Sequence, residues 1–545
     1  NMLSKFTGTL DTETLLNYIT QELTDSNEDL IEKMRKMLEQ LKHMDDNGWE
    51  GLWVKIVGNF IKTATIKDVD IIVGNPPWVK WEFLPTRYAE RIKAISVERH
   101  LFSGQSYMGA ISLNICALIA HVTATSWLKP TGVLAFLMPK TILTQDSYEG
   151  FRNFIVDEEN DLRFYLQKAV DWEKAGHPFV DMKDAFLSYL YKLDYIDYSK
   201  GVPLTYITKK RSVPTRKINF KHTFSSVRNN FDFASGSLVQ LNSDRSGFTF
   251  MRDNEGVRQL SKIIGECEYK CRSGVEFTPR EVYMLHGKKA AESNEQQFIF
   301  KNDISKKSGH KVNHIGDLVL ETEFIKPLLK GPMIKKFEIN WNKEYCIFPY
   351  RDGQVESVSM RELLHNNKNL AEYLQKEKSV IENQSERSKA IAKGTDFYSL
   401  SKLGVYTYAP YKVVFRDNSK WNAAVAKSIT TAWGQEMIPI PAKHAPYISQ
   451  RKGGINSQNE LYISKDEAYY ICGILNCPVV EEYMLSTYSS RSFSIDLKIK
   501  LPLFDSNNEK HQEICNLAKE IESNRSLLDE NLSKINTIYL ELCDN

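Results

Sequence analysis

The sequence predicts an α/β fold: a Rossmann-like sheet, a mixed α/β region after it, and a helix at the carboxyl end. Three features carry that reading. A β-branched run, Ile71-Ile72-Val73, ends in Gly74 and two prolines. An apolar stretch at helical spacing, Leu113 to Trp127, leads through a turn into a second apolar run, Val133 to Met138. Beyond about residue 200 these long periods give way to short strands and turns.

The elements follow in chain order. From Asp11 to Gly48, Leu15, Ile19, Leu23, Leu30, Met34, Leu38 and Leu41 recur three or four apart in a charged background, which predicts a pair of helices within a helical segment at 2–66. Ile71 to Val73 reads as a strand buried on both faces. Gly74 frees the backbone to turn, and Pro76 and Pro77 fix φ and cannot donate, so pairing must stop there. The Asn75 side-chain oxygen, the Pro76 carbonyl and the Trp78 indole are left at the strand's carboxyl end, where open α/β sheets place their ligands. Leu128-Lys129-Pro130-Thr131-Gly132 reads as a helix stop before a strand ending at Pro139. Tyr148 to Ile155 then reads as a helix, Leu162 to Asp171 as a strand and Ala185 to Tyr191 as an antiparallel closing strand. Near the end, Asp505-Ser506-Asn507-Asn508 supplies capping residues. Ile514, Leu517, Ile521, Leu528, Leu532, Ile535, Tyr539 and Leu542 then form one stripe, predicting a long amphipathic helix over 506–545. It either packs back on the body of the chain or pairs with another chain.

Asn75-Pro76-Pro77-Trp78, preceded by an apolar strand, resembles the catalytic motif of S-adenosylmethionine-dependent amino methyltransferases, above all the adenine-N6 DNA methyltransferases. The family's chemistry explains the residue types. The target amine is a poor nucleophile because its lone pair is delocalised into the purine. An amide oxygen and a peptide carbonyl that each accept an N–H bond favour the pyramidal amine, whose lone pair can then attack the sulfonium methyl. The resemblance therefore assigns Asn75, Pro76, Pro77 and Trp78 to catalysis, with Trp78 stacking on a base that has left the duplex. It extends through the Leu-Lys-Pro-x-Gly turn to His177-Pro178-Phe179, which resembles the loop flanking the target-base pocket and adds His177 and Phe179 to that pocket. Its domains are a catalytic half at 67–200, a target-recognition domain at 201–505 and the terminal helix.

The family's Gly-rich cofactor turn after a first strand has no counterpart before Asp70; Phe6-Thr7-Gly8-Thr9-Leu10 mimics a fragment but follows no strand. The acidic residue that helps hold the cofactor after the Asn-Pro-Pro strand is missing as well, since nothing acidic lies between Glu98 and Asp146. Asp70 is the one cofactor-binding candidate. The resemblance thus implies a partial Rossmann-like methyltransferase sheet of the large fused, type IIG-like restriction-modification or phage-defence class. Such a chain is a dissected fragment, a split enzyme whose partner chain supplies the cofactor half, or a degenerate methyltransferase kept as a non-catalytic DNA-recognition subunit. Asn1 ahead of Met2 reads as a residual tag residue. The implied cofactor is S-adenosylmethionine and the implied partner double-stranded DNA.

Scattered basic residues beyond position 200 are the candidates for phosphate contact: Lys209, Lys210, Arg211, Arg272, Lys335, Lys336, Arg416, Arg451, Lys452 and Arg491. A formal net charge of +2 does not itself predict nucleic-acid binding. With no signal peptide, no long uninterrupted apolar run and eight scattered cysteines, the chain is expected in the cytoplasm, without a membrane partner. Cys267 and Cys271 lack a second ligand pair, so no metal site is expected. There is no Gly-x4-Gly-Lys-Ser/Thr loop for ATP and no evident nuclease motif.

Overall fold

Val69–Gly74 (β1) forms a strand, and the prolines end it. The computed structural model describes residues 14, 17, 28–46, 59, 63, 65–101, 114–176, 184–213, 223–241, 247–252, 254–290, 296–304, 312–314, 316–383, 392–393, 396–453, 462–488 and 493–544. Of the expected amino-terminal helix pair, Glu28–Asp46 (α1) is described, with Leu38 buried on its apolar face. The rest of that expectation lies almost wholly outside the described residues.

β1 pairs in parallel with Leu128–Pro139 (β2). Between them in sequence come Thr86–Glu98 (α2) and Ile115–Trp127 (α3). The Asn114 carboxamide caps α3 by accepting from Cys116 N. Val69 lies opposite Leu128 and Ile71 opposite Val133, so the expected turn at Leu128–Gly132 survives as an irregularity early in β2. An added Cβ on Gly132 would meet the Leu128 side chain at 2.6 Å, which only glycine avoids. The sheet continues with Tyr165–Lys174 (β3), Phe186–Lys192 (β4), Val202–Lys209 (β5), Phe231–Gln240 (β6) and Phe248–Met251 (β7). Its seven strands run in the order β1-β2-β4-β3-β5-β6-β7, with β4 antiparallel to both neighbours. This is the mixed, Rossmann-like sheet expected, but it takes strands to Met251. The boundary expected at residue 200 falls inside it, because β5 pairs in parallel with β3 and extends the same layer.

One expectation fails outright. β1 is not buried on both faces: Ile71 is 62% and Val73 76% exposed. β1 is the outermost strand, and its alternation sends Ile72 and Gly74 onto the core while Ile71, Val73 and Asn75 face the other way. No described layer covers that second face.

The second half begins with Asn254–Ile263 (α4) and Tyr269–Arg272 (β8). Met284–Ala290 (β9), Gln297–Asn302 (β10), Asp317–Glu321 (β11), Ile325–Leu329 (β12) and Glu344–Ile347 (β13) build most of a six-stranded sheet. Met360–Asn366 (α5) and Lys368–Glu382 (α6) follow it. Lys412–Phe415 (β14), Ala423–Ala426 (β15) and Tyr447–Arg451 (β17) join β8 in a four-stranded sheet ordered β8-β17-β14-β15, and Ile440–Pro441 (β16) completes the six-stranded one. Lys465–Leu475 (α7) and Pro478–Thr487 (α8) pack beside them. α7 carries a reciprocal cap between Ser464 and Glu467.

The carboxyl end is two helices, Glu509–Ser523 (α9) and Leu528–Cys543 (α10), rather than one. Asn524 breaks the run by accepting from Ser526 N at 3.1 Å, and the chain folds back. Ile514, Leu517, Ile521, Leu532, Ile535 and Tyr539 are all buried with α7 and α8 in one core, so the stripe is spent inside this chain and not on a coiled coil. No described helix is long and apolar enough to cross a membrane.

Candidate active site and nucleic-acid interface

Gly74 brings β1 close to β2, since a Cβ there would lie 3.0 Å from the Phe136 ring. Pro76 is buried next to it, whereas Asn75 and Pro77 are exposed. Trp78 is half-buried: its indole N–H donates to the Leu137 carbonyl at 3.1 Å and its ring lies 5.5 Å from that of Phe186. The chain then leaves along a locked path, with Ile115 N donating to the Val79 carbonyl at 2.9 Å. Among the described residues, nothing hydrogen-bonds the Asn75 carboxamide or the Pro76 carbonyl. The exposed Asn75 carboxamide is therefore open at the carboxyl end of the sheet, and the Pro76 carbonyl beside it, on a buried residue, is unpartnered. Asp70 is at the other end of β1, exposed and ion-paired with Lys129, roughly 16 Å along the strand from Asn75. It does not share the site, because a residue at a strand's start cannot reach its end. His177 and Phe179 lie outside the described residues.

A cleft of about 620 Å³ opens at the same end of the sheet. Lys140, Asp171, Tyr206 and Arg252, which sit at or beside the carboxyl ends of β2, β3, β5 and β7, form one wall; Glu481 on α8 and Tyr488 just after it belong to the other. Lys140 Nζ donates to Asp171 at 3.1 Å and Glu173 at 2.7 Å and lies 4.1 Å from the centre of the Phe250 ring. Burial lowers the Lys140 pKa, but the two carboxylates outweigh it and hold it above the ordinary lysine value. The sequence reading missed this group. Lys140 was within reach of the rule that strand carboxyl ends carry sites, but nothing in the sequence brings Glu481 to it.

Residues 3–169 match the family model of the Eco57I restriction-modification methylase. The turn and β2, the first strand of the cleft wall, lie inside that match. Among solved structures, the chain is similar to the type IIL restriction-modification enzyme MmeI in complex with DNA, at 11% identity and a TM-score of 0.48, covering 87% of this chain and 54% of that one. It is also similar to the ATP-dependent type ISP restriction-modification enzyme LlaBIII bound to DNA, at 10% identity and a TM-score of 0.39, covering 84% and 29%. The type IIG restriction endonuclease BpuSI is another, at 12% identity and a TM-score of 0.26, covering 88% and 54%. The chain thus spans about half the length of MmeI and of BpuSI, and less of LlaBIII.

All ten basic candidates lie beyond the methylase-matched region, and several are internal counter-ions. Arg451 makes a two-pronged contact with the buried Glu467, Nε to Oε1 and Nη2 to Oε2, both at 3.0 Å. Lys336 is paired with Glu481 at 2.6 Å. Arg272 lies 4.0 Å from the centre of the Tyr406 ring and reaches Gln450. Lys209 is turned back onto the Val213 carbonyl, and Lys210 faces Asp232 at 3.9 Å. Balanced charge in the sequence is in part this internal pairing. Arg211, Lys335 and Lys452 are exposed, Arg416 is half-buried, and Arg491 lies outside the described residues.

The same pairing makes the six-stranded sheet acid-sensitive. Burial opposes the Asp303 carboxylate, but Lys330 at 2.5 Å and Arg280 at 2.8 Å outweigh it and hold its pKa at about 2. Lys330 also pairs with Glu344, so lysine supplies the cation among His286, Asp303 and Glu344, the one cluster of metal-ligating type among the described residues. A depressed aspartate contributes stability that is complete above its unfolded value, about 3.9, and is lost as pH falls towards 2. Asp303→Asn is therefore expected to flatten the acid limb of a stability-versus-pH curve between about pH 4 and pH 2. An unchanged limb would show that Asp303 is not held by these cations.

Proposed function

We propose that this chain carries the amine-binding part of an S-adenosylmethionine-dependent DNA adenine-N6 methyltransferase, working in restriction-modification or phage defence. The observation that carries the reading is the pair of unpartnered acceptors, the exposed Asn75 carboxamide and the Pro76 carbonyl, at the carboxyl end of a Rossmann-like sheet with Trp78 pinned beside them. In this reading each acceptor takes one N–H of the extruded adenine amine, so the lone pair is drawn out of the ring. Pro77 locks the turn that aims both oxygens, and the half-buried indole of Trp78, fixed by Leu137, offers its ring to the base. The match of residues 3–169 to a methylase family supports it.

The described residues do not by themselves form a site for the methyl donor. Among the described residues no Gly-rich turn adjoins β1, and nothing covers the face bearing Ile71, Val73 and Asn75. We therefore assign the donor to a cofactor-binding half that lies against this face. The same bare face supports a second reading, a recognition subunit that binds duplex DNA without modifying it. Titration calorimetry with S-adenosylmethionine separates the two when a polypeptide carrying a cofactor-binding half is supplied. Heat only in the mixture supports the methyltransferase; no heat in any combination supports the recognition subunit.

A further inference from the structure

One end of the four-stranded sheet gathers cations that folding leaves unspent. β14 runs into the turn 416–422 and β15 leads out of it. Phe415 N donates to the Pro446 carbonyl at 2.9 Å, which closes the segment containing His444 over the same end. The short ribbon carrying Lys335 joins them, because Asn422 Nδ2 donates to the Ile334 carbonyl at 3.3 Å and Phe337 N to that of Ala423 at 2.8 Å. Lys335 and Lys420 are exposed and, among the described residues, in no ion pair. Arg416 is half-buried, its Nε without a hydrogen-bond partner.

His444 is held differently. Its side chain is 64% exposed, yet Nδ1 meets the Asp417 carboxylate at 3.0 Å, while Asp417 itself is buried. The other Asp417 oxygen accepts from Asn418 Nδ2 at 3.1 Å, and its carbonyl accepts from Phe493 N at 2.7 Å. A buried carboxylate thus fixes an exposed imidazole and leaves its Nε2 edge to solvent. The other charges facing it are accounted for. Lys443 and Lys402 are both bound by Glu276. Arg416 lies across Gly331, whose neighbour Lys330 is spent on Asp303 and Glu344. Phe493 is only five residues after Tyr488 of the cleft wall, so the Asp417 carbonyl is within about 21 Å of the cleft. That is less than one turn of duplex, about 34 Å.

We propose that this sheet end is a phosphodiester-binding site in which Lys420 and the Asp417-oriented His444 grip the backbone of duplex DNA, with Lys335 and Arg416 beside them. It rests on the DNA-binding reading above. The hydrogen bond that the imidazolium donates to Asp417 raises the His444 pKa against the opposing effects of burial and of Lys443 and Lys402, so the grip is present at low pH and fades as pH rises through that raised value.

The test is fluorescence anisotropy of the whole chain with a short labelled duplex of arbitrary sequence, titrated with salt at about pH 6 and about pH 9. Each phosphate contact contributes about 0.9 to the slope of log K against log salt. Lys420→Gln is expected to lower the slope by about that amount at both pH values, and His444→Gln only at the lower one. At low pH the wild type should bind about tenfold more tightly than His444→Gln, and the two should converge at high pH. Wild-type slopes and pH profile in both variants would overturn the site while leaving DNA binding intact. Displacement of the duplex by inorganic phosphate at constant ionic strength would overturn the polymer as its ligand. Absence of any duplex binding by the wild type would overturn the DNA reading itself.

Discussion

Asn75→Ala is expected to lower methyl transfer by at least about 100-fold in the enzyme supplied with its cofactor-binding half, with duplex affinity changed less than about twofold. The size follows from what is removed. One of two acceptors aimed at the amine disappears, and its bond matters most where the nitrogen loses its conjugation. Such preorganised groups typically contribute a few kcal/mol to the transition state and much less to ground-state binding. Affinity should hold because Asn75 is exposed and its carboxamide makes no hydrogen bond among the described residues, so the fold loses no such bond. Turnover and affinity falling together would instead mean that the residue supports the structure of the turn.

The second large effect concerns a residue that reads in the sequence as a DNA contact. Arg451→Ala is expected to cost about 2–4 kcal/mol of stability. Glu467 is fully buried, and its carboxylate is satisfied by both Arg451 prongs, by the Tyr269 hydroxyl at 2.9 Å and by Ser464 N at 3.2 Å. Removing the arginine leaves most of a negative charge stranded between β17 and α7. The midpoint of urea unfolding should fall clearly, and replacing Glu467 by leucine in the same variant should recover part of the loss. If the midpoint is unchanged and only DNA affinity falls, Arg451 belongs to the interface after all.

That contrast shows how much was legible beforehand. The turn at Asn75–Trp78 was, because proline and glycine dictate backbone geometry locally and a β-branched run needs no tertiary context to be a strand. The helix–turn–strand of α3 and β2, and the antiparallel β4, were legible for the same reason. The burial of β1 was not, since whether a strand is central or outermost depends on what lies beside it. The carboxyl-terminal helix was read as one because its apolar stripe continues through Asn524, whose capping bond to Ser526 breaks it. The basic residues were least legible. Lys335 and Arg451 look alike in sequence, yet one is exposed and the other serves Glu467, and no local feature of the chain separates them. Lys420 and His444 went unnoticed, and only the fold brings them to Lys335 and Arg416.

The central claim is that the unpartnered acceptors at Asn75 and Pro76 hold an exocyclic amine of an extruded base. The most direct measurement is mass spectrometry of nucleosides from duplex DNA methylated by the enzyme with its cofactor-binding half present. N6-methyladenine, absent when Asn75 is alanine, is the result expected. N4-methylcytosine would keep the amine chemistry and overturn adenine as the base. A methyl group on a ring carbon would contradict the account, because two hydrogen-bond acceptors do nothing to activate carbon.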